Sequence, residues 1–194
     1  ALFSEEGYNM ICEFLGANWY AVVATMGLAA LAVIHIVYAF MLTAQNRKAR
    51  GDQRYEVSER NPKVEWASQN MLVLGIIVIL GLLLHFWNNM MFAELTGIAT
   101  AHDPADGFAY IVDTFANPCY VVLYIIWLVA IWFHLSHGFW SAMHTLGWSG
   151  KIWFERWKTI GIAYTTILML AFLVVVLAFA FHCAPSLCCG ACCY

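Results

Sequence analysis

Three histidines stand close together in the run Phe133-His134-Leu135-Ser136-His137-Gly138-Phe139-Trp140-Ser141-Ala142-Met143-His144, at the end of a long apolar stretch. At 100° per residue, His134, His137, Ser141 and His144 share one helical stripe about 80° wide. Gly138 sits beside the stripe and removes side-chain bulk. An imidazole inside a membrane span is costly, and it faces a partner, a cavity or a cofactor. Its chemistry there is of two kinds. It can bridge helices by a hydrogen bond, a bond worth about 0.6 kcal/mol on average in membranes. It can also ligate a metal, and an iron porphyrin gripped between two helices needs two imidazoles at one level.

The elements that must hold these rings follow from composition. Of 194 residues, 63% are hydrophobic and only 11% are charged, which excludes an ordinary soluble domain. A chain with lipid as its solvent spans by helices, because lipid-facing backbone must satisfy itself. The fold expected is an all-α integral membrane bundle with four spans: Trp19 to Leu42, Ser68 to Phe92, Pro118 to Leu146 and Thr159 to His182. Residues 1–182 read as one bundle and residues 183–194 as a cysteine-rich tail. No basic patch with interleaved aromatics is present, so nucleic acid is not a partner. No cleavable signal peptide is visible.

All nine Lys and Arg residues fall in two loops. Arg47, Lys48, Arg50, Arg54, Arg60 and Lys63 lie between the first two spans, and Lys151, Arg156 and Lys158 between the last two. The N-terminal segment and the middle loop carry only acids: Glu5, Glu6, Glu13, Glu94, Asp103, Asp106 and Asp113. The positive-inside rule makes the basic loops cytoplasmic and puts both chain ends outside. An outside N-terminus with no signal peptide points to a further span ahead of Ala1, or to processing.

Depth can be counted from the basic residues at about 1.5 Å per residue. On that count His35 lies about 18 Å from Arg47, and His137, His134 and His144 lie about 21, 25 and 10 Å from Lys151. His35 and His137 match best, as an axial pair for a haem, with Gly138 admitting the macrocycle. His85 lies about 33 Å from Lys63, in the outer half, and would hold a second haem roughly 15 Å away. Its partner is either His182 or a histidine on an upstream span. His134 and His144 read as packing or propionate-side residues, His102 as a solvated loop residue, and Met90-Met91 as packing. An iron with two axial histidines carries electrons and does not bind oxygen.

The segments Phe3-Ser4-Glu5-Glu6-Gly7-Tyr8-Asn9, Ile34-His35-Ile36-Val37-Tyr38-Ala39-Phe40, Gln45-Asn46-Arg47-Lys48-Ala49-Arg50-Gly51, Val64-Glu65-Trp66-Ala67-Ser68-Gln69-Asn70-Met71 and His137-Gly138-Phe139-Trp140-Ser141 together resemble a known family. It is the dihaem cytochrome b membrane anchor of succinate dehydrogenase and quinol:fumarate reductase, in its five-helix, single-subunit form, closest to that of Bacteroidetes-like bacteria. The resemblance implies two haem b groups, His35 and His137 holding one and His85 the other, with the family's first helix lying upstream of Ala1. It implies a flavoprotein subunit and an iron–sulfur subunit docked on the cytoplasmic loops, and a quinone, expected to be menaquinone, near the outer haem. The bacterial cytoplasmic membrane is the location it implies.

Quinone chemistry moves protons, and Glu5, Glu6 and Glu13 are candidate relays, though each also reads as an ordinary solvated acid. Ser68, Gln69, Trp66 and Lys151 could hold haem propionates at the cytoplasmic edge. Ser68 and Gln69 equally fit a helix N-cap. The tail from Cys183 departs from the family. It holds five of the seven cysteines, with disulfide, lipid attachment and interfacial packing all open. Cys12 and Cys119 read as small apolar residues. Two rival functions share parts of this pattern. One is a cytochrome b anchor for a hydrogenase or formate dehydrogenase. The other is a haem-free transporter or assembly protein.

Overall fold

The computed structural model describes residues 2–51, 65–88, 102 and 106–181. The described elements are all helices: α1 (Glu5–Ala17), α2 (Trp19–Arg50), α3 (Trp66–Gln69), α4 (Met71–Trp87), α5 (Gly107–Ala116), α6 (Pro118–Thr145) and α7 (Trp153–Ala180). Three of them, α2, α6 and α7, are long and apolar enough to cross a membrane. A shorter apolar helix, α4, has 17 residues. It is about 26 Å long, a little short of a ~30 Å hydrocarbon core, and α3 continues it across a break at Asn70. The chain is therefore a helical membrane bundle, as its composition requires.

Polar caps decide where the helices begin. Ser4 Oγ accepts from Gly7 N at 3.0 Å, Asn18 Oδ1 from Tyr20 N at 3.1 Å, and Asp106 Oδ1 from Ala109 N at 3.1 Å. Asn117 Oδ1 accepts from Cys119 N at 2.9 Å, and Pro118 follows in the first turn, where its missing N–H costs nothing. At the other end, α2 stops at Gly51 with φ 65°, and the α6–α7 connection turns through Gly147 with φ 78°. Both angles lie in the left-handed region that glycine tolerates best.

The sequence places α6 almost to the residue. It misses α1 and α5, which occupy what read as outer segments, and it ends α2 too early at Leu42. The helix runs on through Arg47 and Lys48 to Arg50. Ser68 and Gln69 lie inside α3, whose N-cap position is Glu65, so the cap reading of those two residues is corrected. His182, the cysteine tail, Met90-Met91, Arg54, Arg60, Lys63, Glu94 and Asp103 lie outside the described residues.

Lipid tails are as apolar as leucine, so helix association here rests on close packing and interhelical bonds. The tightest pair is α6 with α7, and α4 packs on α6. A core of Phe108, Phe115, Tyr124, Leu128, Met169, Val176 and Phe179 joins α5, α6 and α7. Trp132 Nε1 donates to Thr166 Oγ1 across the α6–α7 seam at 2.9 Å. Asn9 ties α1 to the start of α5, donating to Asp106 Oδ1 at 2.9 Å and accepting from Phe108 N at 3.0 Å. By contrast, α2 packs mainly on α1, and none of its most apolar stretch is buried.

Candidate functional site

Although α2 stands off the bundle, one of its rings reaches α6. The imidazoles of His35 and His134 lie with centroids 6.2 Å apart and planes at 90°. His134 Nδ1 is buried and has no hydrogen-bond partner among the described residues. A glycine lies beside this ring, but it is Gly75 on α4, where a Cβ would sit 3.5 Å from His134 Cε1. Gly138 points elsewhere, since a Cβ there would meet Met71 Cε at 3.7 Å.

His137, the partner expected for His35, has a different neighbour. Its Nδ1 lies 3.2 Å from Glu65 Oε2, and Glu65 Oε1 is also in a close ion pair with Lys158 of α7. The ring of Trp140 covers His137 at 4.7 Å, edge to face, and Lys158 Nζ lies 5.7 Å from the Trp140 centroid. Partial burial of Glu65 works against its charge. The hydrogen bonds and charges of Lys158 and His137 outweigh that and hold the carboxyl below its usual value of 4.5. His137 thus belongs to a charged clamp that joins the start of α3 to α6 and α7.

The third ring of interest, His85, lies near the far end of α4. Tyr124 Oη is 3.4 Å from its Nδ1, and the Trp127 ring lies 5.5 Å away at 30°. Trp127 is itself fixed, donating from Nε1 to Val78 O at 3.0 Å. Gly81 permits this approach: a Cβ there would fall 1.9 Å from Trp127 Cδ1. His85 borders a cavity of about 550 Å³ whose polar lining includes Tyr8, Asn88, Tyr110, Thr114 and Tyr124.

The other sequence candidates are dispersed. Glu5, Glu6 and Glu13 are exposed on α1, outside the lining of that cavity. Ser68 and Gln69 are exposed on α3, and Trp66 rests against Phe133 at 5.1 Å. Lys151 is exposed in the α6–α7 connection. His144 Nδ1 pairs with Ser149 Oγ at 2.7 Å, and His102 Nε2 lies against Asp113 Oδ2. Cys12 and Cys119 are free thiols.

Three residues of these sites were not singled out from sequence as site residues: His134 as the ring facing His35, Glu65 and Tyr124. No spacing in the sequence separates His134 from His137 and His144, which lie on the same helix. No family model, curated protein or solved structure matches the chain.

Proposed function

We propose that this chain is a dihaem cytochrome b, the membrane anchor of a succinate:quinone oxidoreductase or quinol:fumarate reductase. The observation that carries this reading is the His35–His134 pair. Metal–imidazole bonds of about 2 Å put the centres of two rings on one metal roughly 6 Å apart. The observed 6.2 Å meets that separation. The stand-off of α2 fits a flat macrocycle clasped between α2 and α6. On this reading His35 and His134, in place of His35 and His137, hold the inner haem. His137 serves the Glu65–Lys158 clamp.

A second haem would be held by His85. A candidate for its opposite ligand, His182, lies outside the described residues. When bound, the haems supply one-electron transfer at irons whose axial sites are both filled. The protein's part is to fix the imidazoles, exclude water and set the level of each iron. Menaquinone or another quinone would react near the outer haem, with Glu5, Glu6 or Glu13 relaying protons at the surface. Ser68, Gln69, Trp66 and Lys151 would serve as donors to propionates of the inner haem. The basic connections would face the cytoplasm of a bacterium and receive the iron–sulfur subunit, which carries the flavoprotein subunit.

The test is an optical spectrum and haem count of the protein purified with its associated subunits. Low-spin haem b at two per chain, lost in part in His35→Ala, together with covalent or tight flavin and succinate oxidation in the complex, is the expected result. A colourless wild-type protein removes the reading. Haem without flavin or succinate oxidation would assign the anchor to another respiratory enzyme.

A further inference from the structure

We infer that Tyr124 is a positioning residue for His85, orienting its ring and setting the electron richness of the iron it would ligate; the inference rests on the dihaem reading. Tyr124 is only 8% exposed, and its ring meets Phe115 at 5.2 Å and 81° and Trp127 at 5.7 Å and 89°. These edge-to-face contacts leave the phenol little rotational freedom. Its oxygen therefore stays 3.4 Å from His85 Nδ1, slightly longer than the usual N–H···O bond. The Trp127 ring lies along another side of the imidazole, and it is anchored to the α4 backbone through Val78. Between them, the phenol and the indole fix the imidazole.

The chemical consequence comes from the two ring nitrogens being distinct. If Nε2 ligates a metal, the neutral imidazole carries its proton on Nδ1. That N–H donates to the phenol oxygen, and the phenol oxygen accepts. An acceptor on the far nitrogen makes a ligand more basic, and such outer partners change metal affinity 10- to 100-fold when removed. A more basic imidazole favours the ferric over the ferrous iron. Removing the phenol oxygen should loosen the haem held by His85 and raise its potential, with no effect on a haem held by His35 and His134.

Tyr124→Phe tests this, because it deletes one atom and keeps the ring packing. The measurement is a redox titration of the intact complex followed by haem absorbance, with the haem count per chain. The expected result is one haem rising in potential by up to about 59 mV for one electron, a tenfold fall in its oxidised-to-reduced ratio at a fixed ambient potential. That same haem should be lost more readily on washing, and the other potential should stay in place. The unmoved haem also reports that the variant is folded. Two haems with both potentials unchanged would overturn the role of Tyr124 and leave the dihaem reading standing. A wild-type complex with only the His35–His134 haem would overturn it too. A wild-type protein with no haem would overturn both.

Discussion

Replacing Gly81 by alanine should be far more damaging than the same change at Gly75, six residues earlier on the same helix. A Cβ at Gly81 would lie 1.9 Å from Trp127 Cδ1, 2.2 Å from Cγ and 2.3 Å from Nε1. Carbon atoms in contact sit about 3.5–4.0 Å apart, so the indole must retreat by roughly 1.5 Å or more. It cannot do so and keep its bond to Val78 O. Overpacking costs typically about 1–3 kcal/mol, and the lost bond about 0.6 kcal/mol, the average for membrane helices. Against this stands a gain of up to ~1 kcal/mol for putting alanine in place of glycine in a helix. The net expectation for Gly81→Ala is a loss of about 1–3 kcal/mol. At Gly75 the new Cβ would meet His134 Cε1 at 3.5 Å, an ordinary contact, so only the helix gain remains. The assay is unfolding of both variants in one detergent, by denaturing-surfactant titration, followed by circular dichroism and tryptophan fluorescence. Equal stability of the two variants, or Gly81→Ala as the firmer one, would refute the close approach of α4 to α6.

Two further variants probe the bonds between helices. Glu65→Gln should weaken the clamp by no more than about 1 kcal/mol, because Glu65 is more than a third exposed and solvent screens the pair. The folded state lowers the pKa of this carboxyl, so its contribution is whole at neutral pH and drains away as pH falls below 4.5. Thermal midpoints of wild type and variant should converge on acidification, and a difference that persisted unchanged well below that value would exclude the mechanism. Trp132→Phe, Thr166→Val and the double variant form a cycle across the α6–α7 seam. The expected coupling is about 0.6 kcal/mol and at most about 1.7, and additive losses would show that the 2.9 Å bond contributes nothing.

The spans were legible because lipid leaves a backbone no alternative to the helix, so an apolar run of sufficient length is almost a structure in itself. Pro118 after Asn117 even marked where α6 begins. Helices α1 and α5, with 13 and 10 residues, are too short to register as spans, although Ser4 and Asp106 stood in the sequence as ordinary capping residues. The break at Asn70 was hidden inside a continuous hydrophobic reading. What sequence could least provide was the rotation of each helix. His134 and His137 share a stripe, and only packing on α4 and α7 decides which ring turns toward α2 and which toward Glu65.

The depth count depends on where it starts, and that dependence yields a test. The rise of 1.5 Å per residue holds only within a helix, yet the count to Lys151 ran through residues 146–151, beyond the end of α6. Measured from Thr145, His134 lies about 16 Å in and His137 about 12 Å, while His35 lies about 18 Å from Arg47. His134 is then the better match, in agreement with the 6.2 Å ring separation. On the dihaem reading, His134→Ala should therefore bleach one haem and leave the other spectrum intact. On the same reading His137→Ala should keep both haems and remove only its own part of the clamp, because the Glu65–Lys158 pair remains. The reverse pattern, haem lost with His137 and kept without His134, would mean that α6 is rotated about 60° from the arrangement described, since three residues turn a helix by roughly 300°.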